Sequence, residues 1–164
     1  MMKRVLIVLT VALTVLSCLV AAQTSTPPKW EQKVFVVPAN RDWTDTGFVL
    51  KPADKVTVKA SGRAYFNERS DSIVGSNGLD GDYKTLRPED SAACADPLPK
   101  ESHGALIAKI NNEVFKLGSN NTFSGKEGKF YLGINDCTLS GKLGNSGLFG
   151  ANVKIERDAL ATKK

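Results

Sequence analysis

The clearest pattern along the chain is a strict alternation of apolar and polar residues, which covers the segment Asp54-Lys55-Val56-Thr57-Val58-Lys59-Ala60. A period of two places the apolar side chains on one face of a strand and the polar ones on the other. The segment therefore predicts a β-strand with one buried face. Arg63 to Phe66 are predicted to continue this strand beyond Gly62.

Shorter runs on both sides of this segment predict further strands. They are apolar or alternating, they end at glycine, proline, Asn or Asp, and they cover residues 33–37, 48–50, 105–110, 113–117, 129–134 and 148–155. Residues 119–123 predict a short edge strand or a loop. No run of ten or more residues has helical periodicity beyond the first 22. About eight strands joined by glycine-rich turns predict an all-β fold, a sandwich or a barrel.

Residues 67–103 differ from the rest of the chain. They contain three prolines and many polar turn formers, with little periodicity. This composition predicts a long excursion without regular elements. Long loops in small domains are commonly functional or held by a crosslink, and Cys94 lies inside this one.

The N-terminus has the pattern of a secretory signal. A basic start, Met1-Met2-Lys3-Arg4, precedes an apolar run from Val5 to Val20, and Val20-Ala21-Ala22 offers a peptidase site. We expect a signal peptide at 1–22, a flexible linker at 23–32, the β-domain at 33–156 and a tail at 157–164. The product would be secreted or periplasmic. Alternatively, Val15-Leu16-Ser17-Cys18 is a loose lipobox, and lipidation of Cys18 would make the chain a lipoprotein.

Charge and composition exclude several classes of protein. The chain has 22 basic and 17 acidic residues, hence a net charge of +5, and loss of Lys3 and Arg4 with the leader leaves +3. This mild excess, without a basic stripe, is no indication of nucleic-acid binding. After leader removal no apolar run is long enough for a transmembrane segment.

The sequence contains no recognisable catalytic motif. His103 is the only histidine, and no G-x-S-x-G elbow, phosphate loop or dinucleotide fingerprint accompanies it. We therefore expect a protein that is not an enzyme. Cys94 and Cys137 are the only cysteines beyond the leader, which in an exported protein indicates one disulfide or, alternatively, two separate buried thiols.

One pattern does suggest a ligand. Asn135-Asp136 ends an apolar strand, and a loop leads from there to Asn145-Ser146-Gly147. Calcium takes six to eight oxygens from carboxylates, amides and carbonyls, and this arrangement could supply about half of them. Alternatively, these residues are ordinary turn formers that bond to their own backbone.

Several motifs, taken in their order along the chain, resemble one family. They are Trp43-Thr44-Asp45-Thr46-Gly47-Phe48, residues 54–62, Gly104-Ala105-Leu106-Ile107-Ala108-Lys109-Ile110, Phe115 with Gly118, Tyr131-Leu132-Gly133-Ile134-Asn135-Asp136, and Asn145-Ser146-Gly147 with Phe149. The chain in this respect resembles the PA-IL-like bacterial lectins, which are galactophilic and calcium-dependent, and their galactose-binding-like relatives. The resemblance implies a two-sheet, jelly-roll-like β-sandwich with its site at one end.

The resemblance also implies site residues. Calcium would be held by Asp136, Asn145 and a backbone carbonyl at or near Phe66, with two sugar hydroxyls completing the shell. The residues placed around a galactose-like ligand are Asp136, Cys137, His103, Arg87 and Asn145. The chain would then be a carbohydrate-binding protein assisted by calcium.

Three departures from the family pattern bear on that function. Gly144 stands where the family has a side-chain ligand, Thr85 and Arg87 stand where its sugar-contacting histidine is expected, and His103 replaces one partner of its short disulfide. The two loops that carry Cys94 and Cys137 meet in the resembled fold, which implies a Cys94–Cys137 disulfide. The alternative function is a structural or protein-interaction module of the cell envelope that kept the fold and lost the sugar site.

Overall fold

The computed structural model describes residues 29–66, 73–79, 96–137 and 144–157, which form nine β-strands and no helix. The strands are β1 (Lys29–Pro38), β2 (Thr44–Leu50), β3 (Lys55–Tyr65), β4 (Ile73–Val74), β5 (Leu106–Ile110), β6 (Glu113–Lys116), β7 (Asn120–Phe123), β8 (Gly128–Ile134) and β9 (Ser146–Arg157). Among these residues there is no helix of the length and apolar character needed to span a membrane.

The strands form two antiparallel sheets. The first has the order β1-β9-β3-β4, with β7 also paired to β3, and the second has the order β2-β8-β5-β6. The longest pairing joins β3 to β9, from Lys55 opposite Glu156 to Tyr65 opposite Ser146. The alternation that predicted β3 thus lies at the centre of the first sheet, and the all-β, two-sheet sandwich is confirmed.

The hydrophobic core lies between the inner faces of the two sheets. The first sheet contributes the alternating side chains of β3 and β9, and the second contributes those of β5 and β8; the largest are Val56, Val58, Phe149, Ile155, Leu106, Phe130, Leu132 and Ile134. Each is at most 1% exposed. Burial of such a side chain stabilises the fold by roughly 1.5–3 kcal/mol.

Three features differ from the sequence predictions. The linker predicted at 23–32 ends early, because β1 begins at Lys29, and the tail predicted from 157 begins late, because Arg157 still pairs with Lys29 at the end of β9. The excursion at 67–103 contains a short strand, β4, which pairs with Ala64 and Tyr65. In each case a neighbouring strand supplies hydrogen-bonding partners that local periodicity does not reveal.

Several predicted segments lie outside the described residues. They are the signal peptide at 1–22 with Cys18, most of the linker, residues 80–95 with Arg87 and Cys94, and the tail beyond 157.

Candidate functional site at one end of the sandwich

The polar strand end predicted from Asn135-Asp136 lies where β8 leaves the sheet. Ile134 is the last residue of β8 and pairs with Leu106 at the start of β5. Two further backbone hydrogen bonds continue this pairing, from Gly104 N to Asn135 O at 2.7 Å and from Asn135 N to Ala105 O at 2.8 Å. The sheet therefore sets the position of Asp136 against residues 102–105.

The Asn135 side chain holds the preceding loop against this strand end. Its amide nitrogen donates to the carbonyls of Leu98 and Ser102 at 3.0 and 3.1 Å, and its oxygen accepts from Leu98 N at 2.9 Å. Asn135 is fully buried. A buried amide with all its groups paired specifies one loop conformation, and this loop carries both Asp96 and His103.

His103 lies between two buried carboxylates. Its Nδ1 is 3.1 and 3.2 Å from the two oxygens of Asp96, and its Nε2 is 3.8 Å from Asp136 Oδ1. The side chains of His103, Asp96 and Asp136 are 10%, 2% and 4% exposed. One ligand atom from each of the three residues lies within 4.8 Å of those of the other two.

The Asp136 carboxylate also accepts two N–H groups. Cys137 N donates to Oδ1 at 2.7 Å, and Asn145 Nδ2 donates to Oδ2 at 2.5 Å. The same Asn145 nitrogen lies 3.5 Å from the Ala39 carbonyl. Asn145 thus presents its amide nitrogen, and not its oxygen, to Asp136, because both of its neighbours are acceptors.

Packing on the other side fixes the imidazole ring. The Phe66 ring lies 4.9 Å from the His103 ring, centroid to centroid. Gly104 has a φ of 77°, and a Cβ there would come within 2.7 Å of the Phe66 ring and 2.8 Å of Val74. Only glycine allows the backbone after His103 to approach this closely.

The structure brings together most of the predicted site residues that it describes. Asn145, Cys137 and His103 each lie against the Asp136 carboxylate, and Cys137 Sγ lies 3.3 Å from Asp136 Oδ1. Phe66 is beside them through its ring, which belongs to the hydrophobic core; a role for its carbonyl stays a prediction. Arg87 is outside the described residues.

Two residues of the site were not predicted from the sequence. Asp96 falls in the segment interpreted as an irregular excursion, and Asn135 was interpreted only as the end of a strand. Neither has a local signal, because each acts on a partner seven or more residues away, Asp96 on His103 and Asn135 on Leu98 and Ser102.

The donor set around Asp136 does not fit a calcium ion. Calcium requires converging oxygens, whereas the described groups that meet this carboxylate are two N–H donors and an imidazole nitrogen. Gly144 adds no side chain. These groups satisfy the carboxylate directly, without an added ion.

Comparison with known proteins supports the fold. No family model matches the sequence, and no curated protein does. Among solved structures, the N-terminal domain of EclA, described as a PllA-like lectin, is similar with a TM-score of 0.58 and 24% identity, over 75% of this chain and 95% of that domain. The chain has the fold of a PllA-like lectin domain. The resemblance to PA-IL-like lectins is thereby confirmed for the fold, and the site depends on this chain's own geometry.

Proposed function

We propose that the chain is an exported, non-catalytic carbohydrate-binding module. The observation that carries this proposal is the convergence of Asp136, His103 and Asn145 at one end of a lectin-type sandwich. Carboxylate, amide and imidazole groups are suitable partners for sugar hydroxyls, because each accepts or donates hydrogen bonds. The signal-like N-terminus supports export.

One observation favours the alternative, a structural or protein-interaction module of the cell envelope. Asp136 and Asn145 are only 3% and 6% exposed, and they bond to each other. A polar pair satisfied inside the protein can simply hold the end of the sandwich together. On this alternative the protein would bind no sugar, and the same residues would contribute only to stability.

A glycan array separates the two functions. The mature chain, labelled and folded, is applied with millimolar calcium and again with chelator. We expect binding to a set of galactose-like glycans in both conditions. Folded protein that binds no glycan in either condition would contradict the proposal and favour the structural alternative.

Site variants connect any binding to this end of the sandwich. Asn145→Ala removes the amide that contacts Asp136, and we expect it to reduce glycan binding at least tenfold. The matched control is Asn112→Ala, since Asn112 is exposed in the turn at the opposite end of β5. If the two variants bind glycan equally well or equally poorly, the binding surface does not include Asn145.

A further inference from the structure

The side chain beside Asp136 that bears most directly on calcium is the His103 imidazole. We propose that His103, held by Asp96, takes the place of a cation beside Asp136, so that this end of the sandwich is complete without calcium. What the inference says about ligand binding rests on the proposed carbohydrate function. What it says about the stability of the fold is independent of that function.

The first argument is desolvation. A buried carboxylate is tolerated only when donors or a cation meet it. Asp136 is 3% exposed, and it is met by Cys137 N, by Asn145 Nδ2 and, at 3.8 Å, by His103 Nε2. A metal ion is thus not needed to offset the cost of burying this group.

The second argument is orientation. The two oxygens of Asp96 lie at nearly equal distances from Nδ1, which aligns the imidazole and turns Nε2 towards Asp136. A carboxylate behind a histidine is a common way to fix its ring and tautomer. The Phe66 ring on one side and Gly104 in its tight turn keep the imidazole in place.

The third argument is space. Calcium binds carboxylate oxygens at about 2.3–2.6 Å. An ion on the line from Asp136 Oδ1 to His103 Nε2 would lie roughly 1.4 Å from that nitrogen, given the 3.8 Å separation of the two atoms. An ion displaced from this line would still meet the imidazole nitrogen, and not an oxygen, on this side, whereas calcium takes oxygen ligands. Gly144 supplies no side-chain ligand from the loop, and the His103 ring fills the space beside Asp136.

The test measures melting temperature without any sugar, so it is independent of whether the protein is a lectin. The mature chain and His103→Ala are each melted with chelator, with millimolar calcium and with zinc. We expect the wild type to melt at one temperature in all three conditions. We expect His103→Ala to melt at a lower temperature than the wild type in chelator and to regain several degrees in calcium. The reason is that the carboxylates of Asp96 and Asp136 then face each other across the space that the ring had filled.

The matched control is the double variant Asp96→Asn with His103→Ala, which removes one carboxylate and should lose the calcium response. If His103→Ala does not fold in any condition, His103→Asn serves in the same comparison, since it also vacates the space beside Asp136. A rise in the wild-type melting temperature with calcium or zinc overturns the proposal. So does a histidine variant that folds and does not respond to calcium. A glycan array that fails while these melts succeed would refute carbohydrate binding alone.

Discussion

At the scale of single residues, Asn135 connects the sheet to the site. Its side chain bonds to four backbone groups of the loop at residues 98–102, and its backbone extends the pairing of β5 with β8. The placement of the loop that carries His103 and Asp96 therefore depends on the Asn135 side chain.

Asn135→Ala should lower the free energy of unfolding by about 2–3 kcal/mol, because it leaves buried carbonyl and N–H groups of the loop without partners. Asn112→Ala is the control, since that side chain is exposed and should change stability by less than about 0.5 kcal/mol. Urea denaturation of both variants measures the difference. Equal midpoints would show that water replaces the Asn135 amide without cost.

At the scale of elements, the outer face of the second sheet carries a small apolar contact of its own. Ile107 is fully buried yet is not part of the core between the sheets, and it pairs with Gly133 of β8. The Trp43 ring covers Gly133, and Lys109 Nζ lies 4.4 Å from that ring's centroid. Trp43 is thus packed against the sheet and held by a cation–π contact.

Gly133→Ala should destabilise the protein by about 1–3 kcal/mol, because its Cβ would come within 2.8 Å of both Asp42 O and the Trp43 ring. Gly150→Ala in β9 is the matched control. The nearest atom to a Cβ there is Ser61 O at 4.0 Å, so this change should be neutral or stabilising. Thermal melts and Trp fluorescence report both stability and the Trp43 environment. A neutral Gly133→Ala would mean that the Trp43 ring moves away freely.

A second element-scale contact joins three strands at the opposite end of β9. Arg157 bonds to Glu31 Oε1 at 3.1 Å, to Asp54 Oδ2 at 2.5 Å and to the Val49 carbonyl at 3.1 Å. Asp54 is buried, and it also accepts a hydrogen bond from Lys51 N. Arg157 therefore belongs to the sandwich and not to the predicted tail.

Arg157→Ala should lower the free energy of unfolding by about 1–3 kcal/mol, chiefly because Asp54 loses its charged partner while it stays buried. Arg157→Lys should restore only part of this, since lysine cannot bond in the geometry of a guanidinium. Arg63→Ala, at an exposed position of β3, is the control. Chemical denaturation of the three variants measures their stabilities, which should increase from Arg157→Ala through Arg157→Lys to Arg63→Ala. An Arg157→Ala protein as stable as Arg63→Ala would contradict this prediction.

At the scale of the whole molecule, one crosslink is expected to join the excursion to the site loop. Cys137 is buried beside Asp136. Cys94 lies outside the described residues, so its pairing with Cys137 stays a prediction. The pairing would close a loop of about 43 residues and stabilise the fold by roughly 4 kcal/mol in the chain-entropy model.

Peptide mapping of the mature protein without reductant should recover one crosslinked pair that contains Cys94 and Cys137. Cys94→Ser and Cys137→Ser should lower the melting temperature by similar amounts, because each removes the same crosslink. Two free thiols in the folded protein, or a large effect in only one variant, would refute the pairing.

The sequence by itself determined the fold class and the inner faces of the long strands. The alternation in β3 and the positions of Phe149, Ala151, Val153 and Ile155 required no knowledge of partners, because a pleated strand with one buried face repeats every two residues. The strand end at Asn135-Asp136 and the nearness of Asp136 to Asn145 also came from the sequence, through the family pattern that these motifs resemble.

Only the tertiary structure decided what surrounds Asp136. Asp96 approaches His103 through an irregular loop, the Asn145 amide presents nitrogen to the carboxylate, and β4 and the start of β1 exist because other strands pair with them. These features depend on contacts between residues far apart in sequence, which leave no local period. Local periodicity therefore predicts the framework of the sandwich, whereas the chemistry at its end depends on how the loops fold against it.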